Sequence, residues 1–500
     1  MSTPTDIELR LKEKLDQRIQ DSSNRSLDLP LQHIHGPPLE TSNHHHELLD
    51  FSSNDYLGLA NSKKQQETVE SKYKAHTSKH PPPHLGSTGS RLLSGNSSLA
   101  LGLETFLATV HNRPAALLCN SGYDANLSLL SSLPLPDDVI IMDDLVHNSL
   151  IMGVRMSRIP STRVYFFRHN DFNDLERVLS EVTAKMTREP PMKRCIFVVI
   201  ESVYSMDGDI SPVEEILNLS LRYKARVVVD EAHGLGVFGH TNRQDMKKSI
   251  ALAESKYNTD ASNSMHNSTT HIVHQCGGTG VLAALNLEHH PALLAGVFTF
   301  GKAAGCHGAV ITGSKVLIDY LVNYARPFIY STSLPSHSLC AIKCSYDVMI
   351  GDDGERLRRR VFHLVSLFRS SLLDELDKCG DFDGDFDASQ SFLLPSPTPI
   401  QAVLCRGNEN CIRMANLLRR RGHIMVYPIR SPTVAKGEER IRIIIHAHNT
   451  EGQVLHLVKS IMTFKKELAL ASKPRSGLVS ASPGVIRGHA QQESMTRSKL

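Results

Sequence analysis

The amino-acid sequence predicts an α/β protein: a large domain with a mostly parallel sheet flanked by helices, followed by a smaller C-terminal α+β domain. Three observations carry this prediction. The runs AALLCN (115–120), VIIMDD (139–144), RVYFF (163–167), CIFVVIES (195–202) and RVVVDE (226–231) are continuously apolar rather than alternating, as strands buried on both faces are. Helix-like segments separate them, among them ANLSLLSSL (125–133), DFNDLERVLSEVTAKM (171–186) and VEEILNLSLRYK (213–224). Such alternation builds parallel sheets with functional loops at the strand ends. Beyond about residue 340 the pattern changes to a long helix near 355–378, a strand at 400–405, a helix at 409–421 and a strand at 440–446.

In chain order, residues 1–50 read as a helix and an arm, because Ile7, Leu9, Leu11, Leu15 and Ile19 recur among charges ahead of the loop GPPLETSNHHHE (36–47). The large domain spans 51–335. Within it, 240–277 is dominated by Asn, Ser, Thr and His, loses apolar periodicity and is expected to be a flexible insertion. The small domain spans 336–466, and 467–500 is a Ser/Gly/Pro-rich tail. Two segments invite a metal reading and neither sustains it. The His44–His46 run reads as a solvated histidine cluster, and DFDGDFD (381–387) has Phe386 where a calcium loop needs glycine and Phe392 where it needs glutamate. No metal site is expected.

The 500 residues are 40% apolar and 21% charged, an ordinary globular balance. The formal charge of +3 is concentrated in residues 471–500, where Lys473, Arg475, Arg487, Arg497 and Lys499 face only Glu493. The body therefore lacks the basic footprint of a nucleic-acid binder. No run of 18 apolar residues could span a membrane, and the polar start MSTPTDIELRLKEKLDQ lacks a secretory core. Nine scattered cysteines without a CxxC pair read as reduced thiols of an intracellular protein. Ser498-Lys499-Leu500 spells a peroxisomal import signal, so a peroxisomal import receptor is the expected partner and the peroxisome the expected location, with the cytoplasm otherwise.

The stretch RVVVDEAHGLGVFG (226–239) fits three chemistries. DEAH is the box of a helicase-type ATPase, but the near P-loop GVFTFGK (296–302) follows it in the wrong order, and Ala303 stands where a magnesium-binding hydroxyl belongs. GLGVFG spells a dinucleotide loop, yet Asp230–His233 intervene after the strand and no apolar helix follows. Pyridoxal phosphate chemistry needs a lysine to hold the cofactor and a carboxylate to keep its pyridine nitrogen protonated. Asp230, ending a buried strand, and Lys302, within TFGKAAGCHGA (299–309), suit those parts.

FSSNDYLGLA (51–60), HLGSTGSRLLSGN (84–96), CNSGYDAN (119–126), DDLVHNSLIMG (143–153), ESVYSMDGD (201–209), VVVDEAHGLGVFG (227–239) and TFGKAAGCHGA (299–309) together resemble the successive motifs of the α-oxoamine synthases, fold-type I pyridoxal phosphate enzymes that condense an amino acid with an acyl-CoA and release carbon dioxide. The resemblance covers roughly residues 10–460. FSSNDYLGL and SRLLSGN are spelled as in the biotin-pathway branch, which joins L-alanine to pimeloyl-CoA and gives 8-amino-7-oxononanoate. Other acyl-CoA or amino-acid substrates, as in glycine C-acetyltransferase, serine palmitoyltransferase or a polyketide-linked relative, are the alternative; a non-catalytic partner subunit is a further one, against which Lys302 speaks.

The resemblance implies a role for each matching residue. Lys302 holds the cofactor covalently and then takes the amino acid's α-proton. Asp230 pairs with the pyridinium, His147 stacks on the ring, and His233 with Ser205 lies at its phenolic oxygen. Gly122, Tyr123 and Thr299 bind the phosphate, joined by Ser331 or Thr332 of a second copy, so a homodimer with shared active sites is expected. Arg442 meets the substrate carboxylate, and Arg25, Asn54 and Thr433 are further substrate contacts. The sequence departs from the family at the long 240–277 insertion and at Ala303–Ala309, where the turn after the lysine is spelled unusually.

Overall fold

A computed structural model of the protein describes residues 6–22, 33–34, 48–78, 85–188, 194–239, 277–378 and 392–472. In chain order the strands are β1 (His33–Ile34), β2 (Leu48–Asp50), β3 (Ala115–Cys119), β4 (Val139–Asp143), β5 (Val164–Phe167), β6 (Ile196–Glu201), β7 (Arg226–Asp230), β8 (Leu293–Thr299), β9 (Ala309–Gly313), β10 (Ile400–Leu404), β11 (Ile424–Met425), β12 (Tyr427–Ile429) and β13 (Arg440–Ile444). The described residues fall into two compact units. One takes the chain through Ser53, the short segment Met206–Gly208 and the chain from His363; the other takes Asn54–Ser205 and Asp209–Phe362.

The second unit is built on a seven-stranded sheet of order β3-β9-β8-β7-β6-β4-β5. Strand β9 runs antiparallel to β3 and β8, and the remaining pairs are parallel. The continuous apolar runs fill its centre, with Ile140, Ile141, Val198, Val228, Val229, Val297 and Ile311 wholly buried. Each such side chain contributes about 1.5–3 kcal/mol on leaving water. Helices Gly122–Ser132, Phe172–Arg188 and Val213–Arg222 occupy the segments the sequence predicts. Strands β3–β7 lie within a residue of the predicted ends. Strands β8 and β9 were not foreseen, because Gly296 interrupts the first and the second follows a run of small residues.

The antiparallel turn from β8 to β9 needs only a short connection rather than a helical crossover. Residues 300–308 make it, and Lys302 sits on it. Phe300 N–H donates to Gly308 O (2.9 Å), Cys306 N–H to Phe300 O (2.8 Å) and Gly305 N–H to Lys302 O (2.8 Å). Gly305 adopts φ +60°, and a Cβ there would lie 2.5 Å from the Ala60 nitrogen, so the turn requires glycine.

Most of the expected insertion lies outside the described residues, but its two roots are joined. Gly236 N–H donates to Gly278 O (2.9 Å) and Gly280 N–H to Phe238 O (2.8 Å). Glu231 strengthens this closure, accepting from Ser202 Oγ (2.7 Å), Val281 N (3.0 Å) and Leu282 N (2.6 Å). Asp230 and Val297 are consequently direct partners across β7 and β8 despite the long stretch between them.

Three parallel strands end on buried carboxylates: Asp143 on β4, Glu201 on β6 and Asp230 on β7. At Asp143 the charge is balanced by His169, whose Nδ1 lies 2.9 Å from Asp143 and whose Nε2 lies 2.8 Å from Asp209. Burial opposes a charge on this imidazole, but the two carboxylates outweigh it and push its pKa up to about 10. A pKa raised in the folded state contributes stability in full below the unfolded value, about 6.5, and loses it as pH rises through about 10. The stability difference between wild type and His169→Gln is therefore expected to be largest near pH 6, about 2–4 kcal/mol, and to shrink towards pH 10. Urea melts at several pH values measure it; a constant difference would contradict this account.

The other unit contains two three-stranded sheets, β1-β2-β11, parallel throughout, and β10-β13-β12, antiparallel. Helices Asp6–Gln20, Asn408–Gly422 and Glu451–Ser472 belong to it, and the helix Asp352–Lys378 enters it from the neighbouring unit. The seven cysteines among the described residues are free thiols, and Cys340 and Cys344 are both buried on the helix Ser336–Met349. No helix of the described residues is long and apolar enough to cross a membrane.

Candidate active site

Asp230 ends β7 with its carboxylate buried and oriented by two donors. Asn126 Nδ2 donates to Oδ2 (2.7 Å) and the Ala232 amide to Oδ1 (2.9 Å). Asn126 Nδ2 also lies 2.9 Å from Ser149 Oγ, which is 2.8 Å from His147 Nδ1. The Ser149 amide donates to the same nitrogen (3.2 Å), which assigns the ring proton to Nε2. His147 caps the helix Asn148–Met156 and keeps a face exposed. Crowding by the protein lowers its pKa, Asp230 counters that and Lys302 adds to it. The neutral imidazole therefore responds to the charges of both residues.

Glu201, in register with Asp230, is wholly buried. Burial raises its carboxyl well above the ordinary range, and the Asp230 charge acts in the same direction. Glu201 accepts the His147 amide, and its raised pKa disfavours a second charge beside Asp230. Asn126→Ala removes a hydrogen bond to a buried charge, for which about 1.5–3 kcal/mol is typical. It is expected to lower kcat/KM about tenfold or more without unfolding the protein; unchanged kinetics would remove Asn126 from this role.

A second chain of polar groups begins at Lys302. Its Nζ lies 2.6 Å from His233 Nε2, and His233 Nδ1 lies 2.5 Å from the Tyr56 hydroxyl. Tyr56 in turn donates to Asn54 Oδ1 (3.5 Å). An ammonium donating to Nε2, an Nδ1–H donating to Tyr56 and a phenol donating to Asn54 form one consistent direction, so a proton on Lys302 has a hydrogen-bonded route away from it. His233 and Tyr56 are buried, whereas Lys302 is half-buried and open to a ligand.

The third feature is an anion cradle. Gly122 begins the helix Gly122–Ser132, where Ser121 Oγ caps the Asp124 amide (3.0 Å), and Tyr123 beside it is exposed. A Cβ on Gly122 would stand 3.0 Å from Thr299 Cβ, so glycine lets the helix start and the end of β8 share one spot. Backbone amides, a threonine hydroxyl, a lysine and a carboxylate at strand ends fit a phosphorylated heterocyclic aldehyde.

The remaining predicted residues are placed as follows. Ser205 lies half-buried in the turn after β6, closed by the Val203–Ile210 bridge. Thr332 is exposed, its carbonyl accepting from Asn120 Nδ2 (2.8 Å), and Ser331 precedes it. Arg442 is buried mid-β13, opposite Ala402 and Tyr427, and Thr433 is exposed on a turn; both belong to the C-terminal unit. Arg25, the His44–His46 run, residues 381–387 and Ser498–Leu500 lie outside the described residues. Tyr56, Asn126, Ser149 and Glu201 were not singled out beforehand, although each sits inside a motif that was. The rival readings lose their geometry. Gly296 is mid-strand, paired with Val229 and Thr312, so GVFTFGK is no phosphate loop, and Glu231 of DEAH is a wholly buried structural acceptor.

The profile of aminotransferase class I and II matches residues 46–461. The chain belongs to that family and, within it, to the α-oxoamine synthases. It is 34% identical over 431 residues to the 8-amino-7-oxononanoate synthase of Emericella nidulans, covering 84% of this chain and 90% of that one. It is 32% identical over 460 residues to 8-amino-7-oxononanoate synthase 2 of Bacillus subtilis, covering 92% and 98%. Among solved structures, serine palmitoyltransferase from S. paucimobilis has the same fold, with a TM-score of 0.69 at 22% identity over 92% of this chain and 98% of that one. The 8-amino-7-oxononanoate synthase of Francisella tularensis gives 0.58 at 21% identity over 84% and 99%.

Proposed function

We propose that this enzyme is a pyridoxal 5′-phosphate-dependent acyltransferase that condenses L-alanine with pimeloyl-CoA, forming 8-amino-7-oxononanoate, CoA and carbon dioxide in biotin biosynthesis. The observation that carries the reading is the pairing of an oriented, buried Asp230 with an accessible Lys302 at neighbouring strand ends, in a chain whose relatives bear that activity by name. The cofactor supplies an electron sink for the carbanion at alanine Cα. Asp230 keeps the pyridine nitrogen protonated and Lys302 anchors the cofactor, then takes the α-proton and passes it towards His233. His147 covers the ring face, Ser205 supports His233 at the phenolic oxygen, and Gly122, Tyr123 and Thr299 hold the phosphate. Arg442 receives the substrate carboxylate as a planar fork, with Arg25, Asn54 and Thr433 as further contacts.

CoA release measured over a panel of amino acids and acyl-CoAs tests the substrates. Alanine with pimeloyl-CoA is expected to give the highest kcat/KM. A second reading is another acyl-CoA or amino acid, as in the serine palmitoyltransferase or glycine C-acetyltransferase reactions, which the same panel would reveal.

The reading extends to assembly and location. Two copies form a homodimer in which Thr332 of each reaches the other's phosphate; a monomer by light scattering at working concentration would contradict this. The terminal Ser498-Lys499-Leu500 engages the peroxisomal import receptor, and deletion of Leu500 is expected to leave the protein in the cytoplasm. Unchanged punctate location would rule the tripeptide out.

A further inference from the structure

One side-chain cluster has no part in the proposed reaction. In the unit holding both ends of the described chain, Asp50 closes β2, and His446 and His448 follow β13. One ligand atom from each lies within 4.8 Å of the others. We propose that Asp50, His446 and His448 bind a divalent first-row transition-metal ion, of the class to which zinc and cobalt belong, that fastens β2 to the end of β13.

The donor set suits such an ion, since imidazole nitrogens with a carboxylate oxygen make a borderline-soft, singly anionic site. The second observation is at Asp50, which is 1% exposed. Its Oδ1 accepts from Ser52 N (2.8 Å), Ser52 Oγ (2.8 Å) and Ser53 N (3.1 Å). Its Oδ2 is equally buried, meets no hydrogen-bond partner among the described residues and lies 3.9 Å from His446 Nε2. A buried carboxylate oxygen left in that state is costly unless a cation satisfies it.

The surroundings are arranged as an outer shell. Asn449 Oδ1 lies 3.3 Å from His446 Nδ1 and accepts the His446 amide (2.8 Å), while Asn449 Nδ2 donates to Asp50 O (3.2 Å). Asn449 Oδ1 stands near Nδ1 and the Ser53 carbonyl accepts from Nε2–H, so a bound ion would take the place of the Nε2 proton while Nδ1–H stays on Asn449. Ser53 O and Oγ stand 2.9 and 3.0 Å from Nε2. Such a separation is that of two ligands about 2.1 Å from one ion at a right angle, so the Ser53 oxygens are further donors. The two rings stack at 4.7 Å, with His448 half-buried. Two ligands on one ion stand at most about 4.2 Å apart, so ion binding would draw the three ligand atoms slightly together. Its parts come from opposite ends of the sequence, which hid it from any spacing motif.

The test uses untagged, full-length holoenzyme dialysed against EDTA and titrated with Zn²⁺ by calorimetry and with Co²⁺ by visible absorption. One equivalent is expected, with a ligand-field band for Co²⁺ and a raised melting temperature with Zn²⁺. His448→Gln and Asp50→Asn are expected to lose that equivalent, whereas His44→Ala, His45→Ala and His46→Ala together keep it. Should Asp50→Asn fail to fold, His448→Gln at the half-buried position decides the matter. Equal uptake by His448→Gln and wild type would overturn the proposal. So would a wild type that binds neither ion while His446 titrates by NMR as a protonated partner of Asp50.

Discussion

Replacing Lys302 by alanine is expected to lower kcat/KM for the condensation by about 10³-fold or more, since in the proposed reaction it would remove a covalent anchor and a general base together. The absorption of the purified wild-type enzyme at about 420 nm should vanish from the variant. Folding should survive, because the turn is held by backbone bonds through Phe300, Lys302 O, Gly305, Cys306 and Gly308, none of which uses the Lys302 side chain. His233 loses its 2.6 Å partner, but the Tyr56 contact on its other nitrogen still fixes the ring. His233→Gln is the informative companion. It should retain the 420 nm species, at about that wavelength, and lose rate by a smaller factor, because it interrupts proton passage without removing the anchor. Equal loss in both variants with normal spectra would refute the division of labour between Lys302 and His233.

What could be read beforehand followed from local chemistry. Strands β3–β7 announced themselves because burial on both faces demands uninterrupted Val, Ile and Leu, and the helices between them because one face alone is apolar. Strands β8 and β9 escaped because glycines and alanines thin out their apolar character. Asp230 was legible as the polar end of a buried strand. Asn126 was not, since a helical asparagine is an ordinary residue until the fold sets it 2.7 Å from a carboxylate on another strand. Glu201 is similar: its carboxyl is pushed up by burial and by Asp230 beside it, a property of burial and register that no spacing contains. Asp50 with His446 and His448 is the limiting case, because only the folded unit makes neighbours of them.

Asp230→Asn should cost about 10²–10³-fold in kcat, equivalent to about 3–4 kcal/mol of transition-state stabilisation. The substitution preserves shape; its single amide oxygen can keep the Ala232 bond, while its NH2 replaces the oxygen facing Asn126 and is accommodated if the Asn126 amide turns its own oxygen towards it, so the loss of rate should exceed the fall in melting temperature. The charge is what disappears, and two neighbours report it. Burial and the Asp230 charge both push the Glu201 carboxyl up, so neutralising Asp230 should bring Glu201 down towards the ordinary carboxylate range. His147 should move the same way for a different reason: its pKa is already lowered by crowding and by Lys302, and Asp230 is the group that opposes the lowering. Imidazole NMR across a pH series reads this second shift directly. A variant with a raised KM, an unaltered kcat and an unshifted His147 would mean that Asp230 only shapes the pocket, because a carboxylate that stabilises developing charge must be felt most in the step where that charge appears.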